Sequence, residues 1–255
     1  MKLVIIDDND KNSFTQIFKR LNVFTELLNI RFEEERLYFQ GMDQSHVSLF
    51  ELVLKKEWFD EYNVSKPIIL GINISILSKI FGMRSKEHNI VLEMDDEEGD
   101  KLYIGLESEK VLSKNFKIPI IDLDESLMEI PDVEYSVDFV GYSKKIEEIV
   151  KEMSVFGDSI FMSFTENSMK LSSEGDDGSM VVDIKLEDLE EYSIEENGTF
   201  KIEYPLKYLL WIMDYSVISD SVSIHVSDKI PMKVVYSLGE ENYIKFWLAP
   251  KFNDY

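Results

Sequence analysis

This chain is two copies of one folding unit. A shift of 132 residues, the distance from Phe24 to Phe156, lays its first half on its second with almost no gap. Such a repeat dictates architecture, because each copy must bury the same face in the same way. The helix-like run Phe14, Ile17, Phe18, Leu21 and Phe24 falls on Ile146, Ile149, Val150, Met153 and Phe156. The register then persists: Phe32 meets Phe164, Leu37 meets Met169, Leu49 meets Val181, Leu77 meets Leu209, Ile80 meets Ile212, Leu92 meets Ile224 and Leu106 meets Leu238. Chance likeness between two helices would not hold one offset across apolar stretches of different period.

At 255 residues there is room for two domains of ordinary size, each able to bury a core without covalent staples. The chain has no cysteine, which removes disulfide scaffolds, thiolate zinc sites and cysteine nucleophiles and fits a reducing compartment. No apolar run approaches the roughly 18 residues of a membrane span. The opening MKLVIIDDND is charged where a signal peptide needs apolar residues, so an intracellular protein without a membrane partner is expected. Ala249 is the only alanine; helix propensity is therefore modest, and the helices must rely on packing an apolar face against a sheet. A formal charge of −23 repels nucleic acid overall, so any role on DNA depends on where the lysines lie.

Each repeat reads as strand, helix, several strands, helix, several strands. In the first, residues 2–6 form a strand and 12–22 an amphipathic helix; antiparallel strands carry Leu37, Phe39, Val47, Leu49, Leu52 and Leu54, and Ile68 to Ile72 is another. A second helix, about 73–82, puts Ile76, Leu77 and Ile80 on one face, and strands near 89–94 and 101–106 close the unit. The second repeat places helices near 143–154 and 205–213. The expected class is α+β, two repeated domains of antiparallel sheet with two helices each. The domains are 1–116 and 135–255, and 117–134, which holds Pro119 and Pro131 and matches neither repeat, is an extended connector. Edge strands need covering; the candidates are Val111 to Lys117 and Ser179 to Lys185, whose pairing between subunits would give a head-to-tail closed assembly.

Met42-Asp43-Gln44-Ser45-His46-Val47-Ser48-Leu49, with Leu248-Ala249-Pro250-Lys251, resembles proliferating cell nuclear antigen, the DNA sliding clamp family of eukaryotes and viruses. Ile121-Asp122-Leu123-Asp124, Ile130-Pro131, Glu134-Tyr135-Ser136 and Tyr208-Leu209 stand where that family carries the same pattern, and the likeness runs from about residue 10 to 251. The resemblance implies a homotrimeric ring encircling double-stranded DNA, with sheets outside and helices lining the hole. It also implies a non-catalytic, cofactor-free tether for DNA polymerase, clamp loader, flap endonuclease and DNA ligase, in the nucleus or a viral replication compartment. Encirclement removes the charge objection, since DNA is then retained topologically.

The helix faces opposite the apolar stripes do carry cations: Lys19 and Arg20, then Lys79, then Lys144, Lys145 and Lys151, then Lys207. Lys79, Lys151 and Lys207 match basic positions of the family, while Thr15, Gln16, Asn22, Gly82, Glu148 and Asp214 replace basic residues there. For any one lysine a solvated helix face is as good a reading as DNA contact. The peptide pocket implied by the resemblance comprises Met42, His46, Val47, Leu49, Met128, Ile130, Pro131, Pro231, Trp247, Ala249 and Pro250. Trp247 stands for the usual tyrosine and Met128 for leucine. Val47 and Leu49 read equally well as ordinary strand core. Glu166 replaces a lysine that often receives ubiquitin-like modifiers, a departure that points to a divergent lineage such as a large DNA virus or a parasite.

Other signals carry less. Glu35-Arg36-Leu37-Tyr38-Phe39-Gln40-Gly41 looks like a protease site used in expression tags, yet the repeat register makes it native strand. Asp95-Asp96-Glu97-Glu98 with Gly99 reads as a solvated hairpin turn rather than a metal site, and Glu187 to Glu196 as an outer-surface loop. His46, His88 and His225 lie in different units, and no phosphate loop or nucleophile-plus-base arrangement is legible. Two alternatives remain open: a viral processivity factor of this fold without a closed ring, and an acidic scaffold or transcription-associated adaptor.

Overall fold

The computed structural model describes residues 1–94, 99–123, 127–196 and 198–251. Two compact units emerge. The first gathers Met1–Gln44, Glu51–Met128 and Leu238–Tyr243; the second gathers Ser45–Phe50, Glu129–Ser237 and the chain from Ile244 onward.

In chain order the first unit contains β1 (Lys2–Ile5), α1 (Asp8–Leu21), β2 (Leu27–Phe32), β3 (Arg36–Met42), β4 (Ser48–Lys55), β5 (Glu61–Asn63), β6 (Ile68–Asn73), α2 (Ile74–Gly82), β7 (Asn89–Glu93), β8 (Lys101–Glu107) and β9 (Lys114–Pro119); the first three residues of β4 group with the second unit. One antiparallel sheet runs β5-β1-β7-β8-β9, and a second ladder runs β4-β3-β2-β6. Helices α1 and α2 pack on each other. Their apolar faces meet an aromatic cluster in which the rings of Phe14 and Phe18 lie 4.8 Å apart, Phe14 and Phe81 5.5 Å, and Phe18 and Phe39 5.8 Å. Such pairs add about 0.5–1.5 kcal/mol each beyond simple burial, which offsets the poor helix propensity of an alanine-free helix.

The second unit repeats this order with β10 (Val137–Tyr142), α3 (Ser143–Met153), β11 (Ser159–Thr165), β12 (Ser168–Gly175), β13 (Gly178–Ile184), β14 (Glu191–Ile194), β15 (Phe200–Pro205), α4 (Leu206–Met213), β16 (Ser221–Ser227), β17 (Ile230–Ser237) and β18 (Tyr243–Leu248). Its ladders run β14-β10-β16-β17-β18 and β13-β12-β11-β15. The duplication extends to register. Phe32 faces Ile68 across β2 and β6, and 132 residues on, Phe164 faces Phe200 across β11 and β15; Leu27 with Asn73 likewise becomes Ser159 with Pro205. Period-two alternation sends Ile160, Met162 and Phe164 inward on β11, and Ile244, Phe246 and Leu248 on β18. The α+β class expected from the repeat is the observed one.

Four details depart from the sequence reading. Ile76, expected on the apolar face of α2, is 41% exposed, because Ile74, Leu77, Ile80 and Phe81 form that face. Helix α1 begins at Asp8, four residues early, because Asp7 caps it: the Asp7 carboxylate accepts from the backbone N–H groups of Asn9 at 2.8 Å and Asp10 at 3.2 Å. The first candidate edge starts at Lys114, not Val111, since Ser108 and Ser113 close a turn in which the Ser113 hydroxyl accepts from the Ser108 N–H at 3.0 Å. Within Glu187 to Glu196, Glu191–Ile194 is strand β14 rather than loop: it pairs with β10 from Val137↔Ile194 to Val140↔Glu191, turning Tyr192 and Ile194 toward the protein and Glu191 outward. The acidic composition masked that alternation.

The protease-like segment is β3, with Leu37 to Gly41 buried. Strand β9 continues to Pro119, through the first three residues of the 117–134 segment. Asp95 to Glu98 and Asp124 lie outside the described residues. Among the described residues, no group of three or more acidic or histidine side chains is placed to hold a metal ion, and no helix is long and apolar enough to cross a membrane.

Candidate functional site

Every cation singled out on the helices lies on a face turned away from the core. In the first unit Lys19 is exposed in the last turn of α1 and Lys79 in the last turn of α2, positions where a cation also complements the helix dipole. Neither has an ion-pair partner among the described residues. The Ser78 hydroxyl donates to the carbonyl of Lys19 at 3.4 Å, which ties the two helix ends together. Arg20 is only half-exposed and donates to the Gln16 amide oxygen one turn back. Thr15, at a position expected to be basic by resemblance, is buried and accepts a 2.9 Å hydrogen bond from Arg84.

The second unit is less open-handed with its charge. Lys145 sits 5.3 Å over the Tyr142 ring, and Lys207 lies 5.0 Å from the Trp211 ring and 5.4 Å from Tyr208. Such contacts orient an ammonium without neutralising it. Lys144 and Lys151 differ, because both bind the carboxylate of Glu147, Lys144 at 2.8 Å from one turn before it and Lys151 from one turn after it. Glu147 is buried at 4% exposure and also accepts from the Ser216 hydroxyl. Burial works against its ionised form, but the hydrogen bonds from Lys144, Lys151 and Ser216 outweigh it and hold the carboxyl down at about 2. No sequence signal announced this carboxylate, since Glu147 and Glu148 look alike until packing buries one of them.

The residues expected to form the peptide pocket fall in both units. In the second, the backbone N–H of Ala249 donates to the Val47 carbonyl at 3.0 Å, joining the segment after β18 to the loop before β4. Ser48 and Phe50 point into the core at 0% exposure, which turns Val47 and Leu49 to the other side, half-buried. That placement separates them from ordinary strand core. His46 holds a left-handed backbone at φ 58° and is exposed, as are Pro131 and Pro231, while Ile130, Trp247, Ala249 and Pro250 are half-buried. In the first unit Met42 is half-buried at the end of β3, and two residues before it Gln40 clasps Met128, donating to the Met128 carbonyl at 3.1 Å and accepting from its N–H at 3.1 Å.

Sequence reasoning missed the support around Trp247. Tyr135 lies beside Trp247 and donates its hydroxyl to the Pro231 carbonyl at 3.3 Å; burial pushes the phenol up to about 12. Its ring lies 5.6 Å from that of His225 and 4.8 Å beneath the Lys233 ammonium. His225 in turn meets Asp138 across β10 and β16, and burial, reinforced by Lys233 and Lys245, keeps its imidazole below the ordinary histidine value despite that carboxylate. Tyr135 was legible only as part of the Glu134-Tyr135-Ser136 pattern.

Two copies of one nine-strand, two-helix unit, with cations on the outward faces of paired helices, define the DNA-clamp class of α+β proteins. The comparisons agree. The family model for the N-terminal domain of proliferating cell nuclear antigen matches residues 10–127, and that for its C-terminal domain matches residues 129–251. Proliferating cell nuclear antigen of Chaetomium thermophilum is 28% identical over 89% of this chain and 89% of its own length. Proliferating cell nuclear antigen 2 of Plasmodium falciparum is 29% identical over 96% of this chain and 98% of its own length. The chain belongs to the proliferating cell nuclear antigen family, and its function is that of a DNA sliding clamp.

Proposed function

We propose that the chain closes with two further copies into a ring around duplex DNA and tethers replication and repair enzymes through the surface built on Val47, Trp247 and Ala249. The observation that supports the tethering half is the Ala249 to Val47 hydrogen bond, which ties the two most specific sequence motifs together, with Val47, Leu49, Trp247 and Ala249 half-buried. A client peptide with a glutamine, an aliphatic residue and two aromatics fits such a surface, because apolar anchors dominate peptide recognition. DNA polymerase, clamp loader, flap endonuclease and DNA ligase are the clients this reading names. Tethering needs no chemistry in the clamp; it raises the local concentration of an enzyme at its template. The ring is a scaffold on this reading and works in the nucleus, or in a viral replication compartment if the source is a virus.

The ring half is supported by two edge strands. Among the described residues β9 pairs only with β8, and β13 only with β12. An edge left open invites pairing with another copy, and a head-to-tail pairing that closes forms a ring. The boundaries 1–116, 117–134 and 135–255 are retained as domain, connector and domain. Light scattering at several concentrations tests the ring: a mass near three times 29.8 kDa that survives dilution supports it. A mass of one chain throughout moves the reading to a processivity factor without a closed ring.

A further inference from the structure

Helix α3, which carries Lys144, Lys145 and Lys151, also buries an acid beneath them. On α3, Glu148 and Glu152 are exposed, but Glu147 is at 4% exposure, with Lys144 and Lys151 on its two oxygens and Ser216 fixing it from beyond α4. Both lysine side chains remain more than half exposed, at 58% and 55%. They therefore still face solvent, while a carboxylate that cannot leave shares their charge.

We propose that Glu147 is a positioning residue that sets how strongly this helix holds DNA, fixing Lys144 and Lys151 in one fork and cancelling about one of their two charges. An ammonium gains on meeting a phosphate by displacing the counterions condensed on DNA. A lysine already compensated by a buried carboxylate adds less to that gain than a lysine in free solvent. Lys145, one residue along, lies over the Tyr142 ring with no ion pair among the described residues, and keeps its full charge. The three lysines of α3 thus present close to two positive charges, not three, which favours sliding over static binding. This inference rests on the reading that α3 faces duplex DNA.

The experiment measures binding of the full-length protein to a linear duplex oligonucleotide across a salt titration, comparing wild type with Lys144→Met, Lys145→Met and Glu147→Gln. Each phosphate neutralised contributes about 0.9 to the slope of log affinity against log salt. Lys145→Met should flatten the slope by about 0.9 and Lys144→Met by about half of that. Glu147→Gln, which keeps the shape and removes the charge, should steepen it by about 0.9 and tighten binding severalfold at low salt. A purely structural role for Glu147 would lower thermal stability and leave the slope alone, and that result overturns the proposal. Equal effects of Lys144→Met and Lys145→Met overturn it as well, and these surface variants report even if Glu147→Gln fails to fold. If no α3 lysine variant moves the slope, the DNA-facing reading itself is wrong, and this inference falls with it.

Discussion

Ala249 donates its backbone N–H to the carbonyl of Val47 at 3.0 Å, joining residues that are 202 positions apart in the chain. Val47, Leu49, Trp247, Ala249 and Pro250, in the two segments so joined, are half-buried, and Tyr135 lies beside Trp247. Truncating a central aromatic anchor costs about 2–4 kcal/mol of binding. Trp247→Ala should therefore weaken a peptide bearing a glutamine, an aliphatic residue and two aromatics by at least tenfold in a fluorescence anisotropy titration, with little change in melting temperature. Unchanged affinity would place the peptide site elsewhere.

Gly71, in β6 against Ile121, is a second test. A Cβ built there would lie 2.1 Å from the carbonyl oxygen of Ile121, whose N–H donates to the Gly71 carbonyl at 2.8 Å. Backbone cannot yield as a side chain can. Gly71→Ala should detach residues 121–123 from β6, seen as loss of hydrogen-exchange protection at the Ile121 amide, and should lower stability by about 1–3 kcal/mol.

On the open edge of β13, Val181 is 56% exposed. Val181→Asp leaves the core untouched but puts a charge where another copy would add its strand. Light scattering should then give 29.8 kDa at concentrations where the wild type gives about three times that value.

Acid should weaken the second unit through Glu147. Its folded-state value of about 2 lies below the ordinary 4.5, so the ionised form is favoured by folding. The stabilisation is complete above the ordinary value and is lost as pH falls from about 4.5 towards 2. Allowing for the solvent around both lysines, its size is about 1 kcal/mol. Denaturant midpoints at pH 6 and pH 3 should differ less in Glu147→Gln than in the wild type.

The protease that recognises the tag-like segment should fail on native protein, because Gln40 lies inside β3 at 8% exposure. Mass spectrometry after digestion checks this. Rapid cleavage at Gln40 without denaturant would mean that β3 opens readily.

The repeat made most of this architecture legible before any coordinates. Helices and strands recur in register because Phe14 and Ile146, or Phe32 and Phe164, solve the same packing problem twice. Local chemistry accounts for what was misplaced: the Asp7 cap lengthened α1, the Ser108 to Ser113 turn shortened β9, and acidic side chains hid the alternation of Tyr192 and Ile194 in β14. Among the residues proposed for peptide binding, Val47 and Trp247 were visible through motif resemblance, whereas Tyr135 as the partner of Pro231 and Gln40 as the seat of Met128 were not. Those roles depend on partners 88 or more residues away.

By itself, then, the sequence determined a duplicated α+β clamp and the helices that bear its cations, because periodicity and motif spacing are properties of the chain alone. Only the tertiary structure decided how much charge those helices present. Glu147 and Glu148 are neighbours of identical chemistry, and burial against Ser216 makes one of them a fixed counter-ion while the other stays in water.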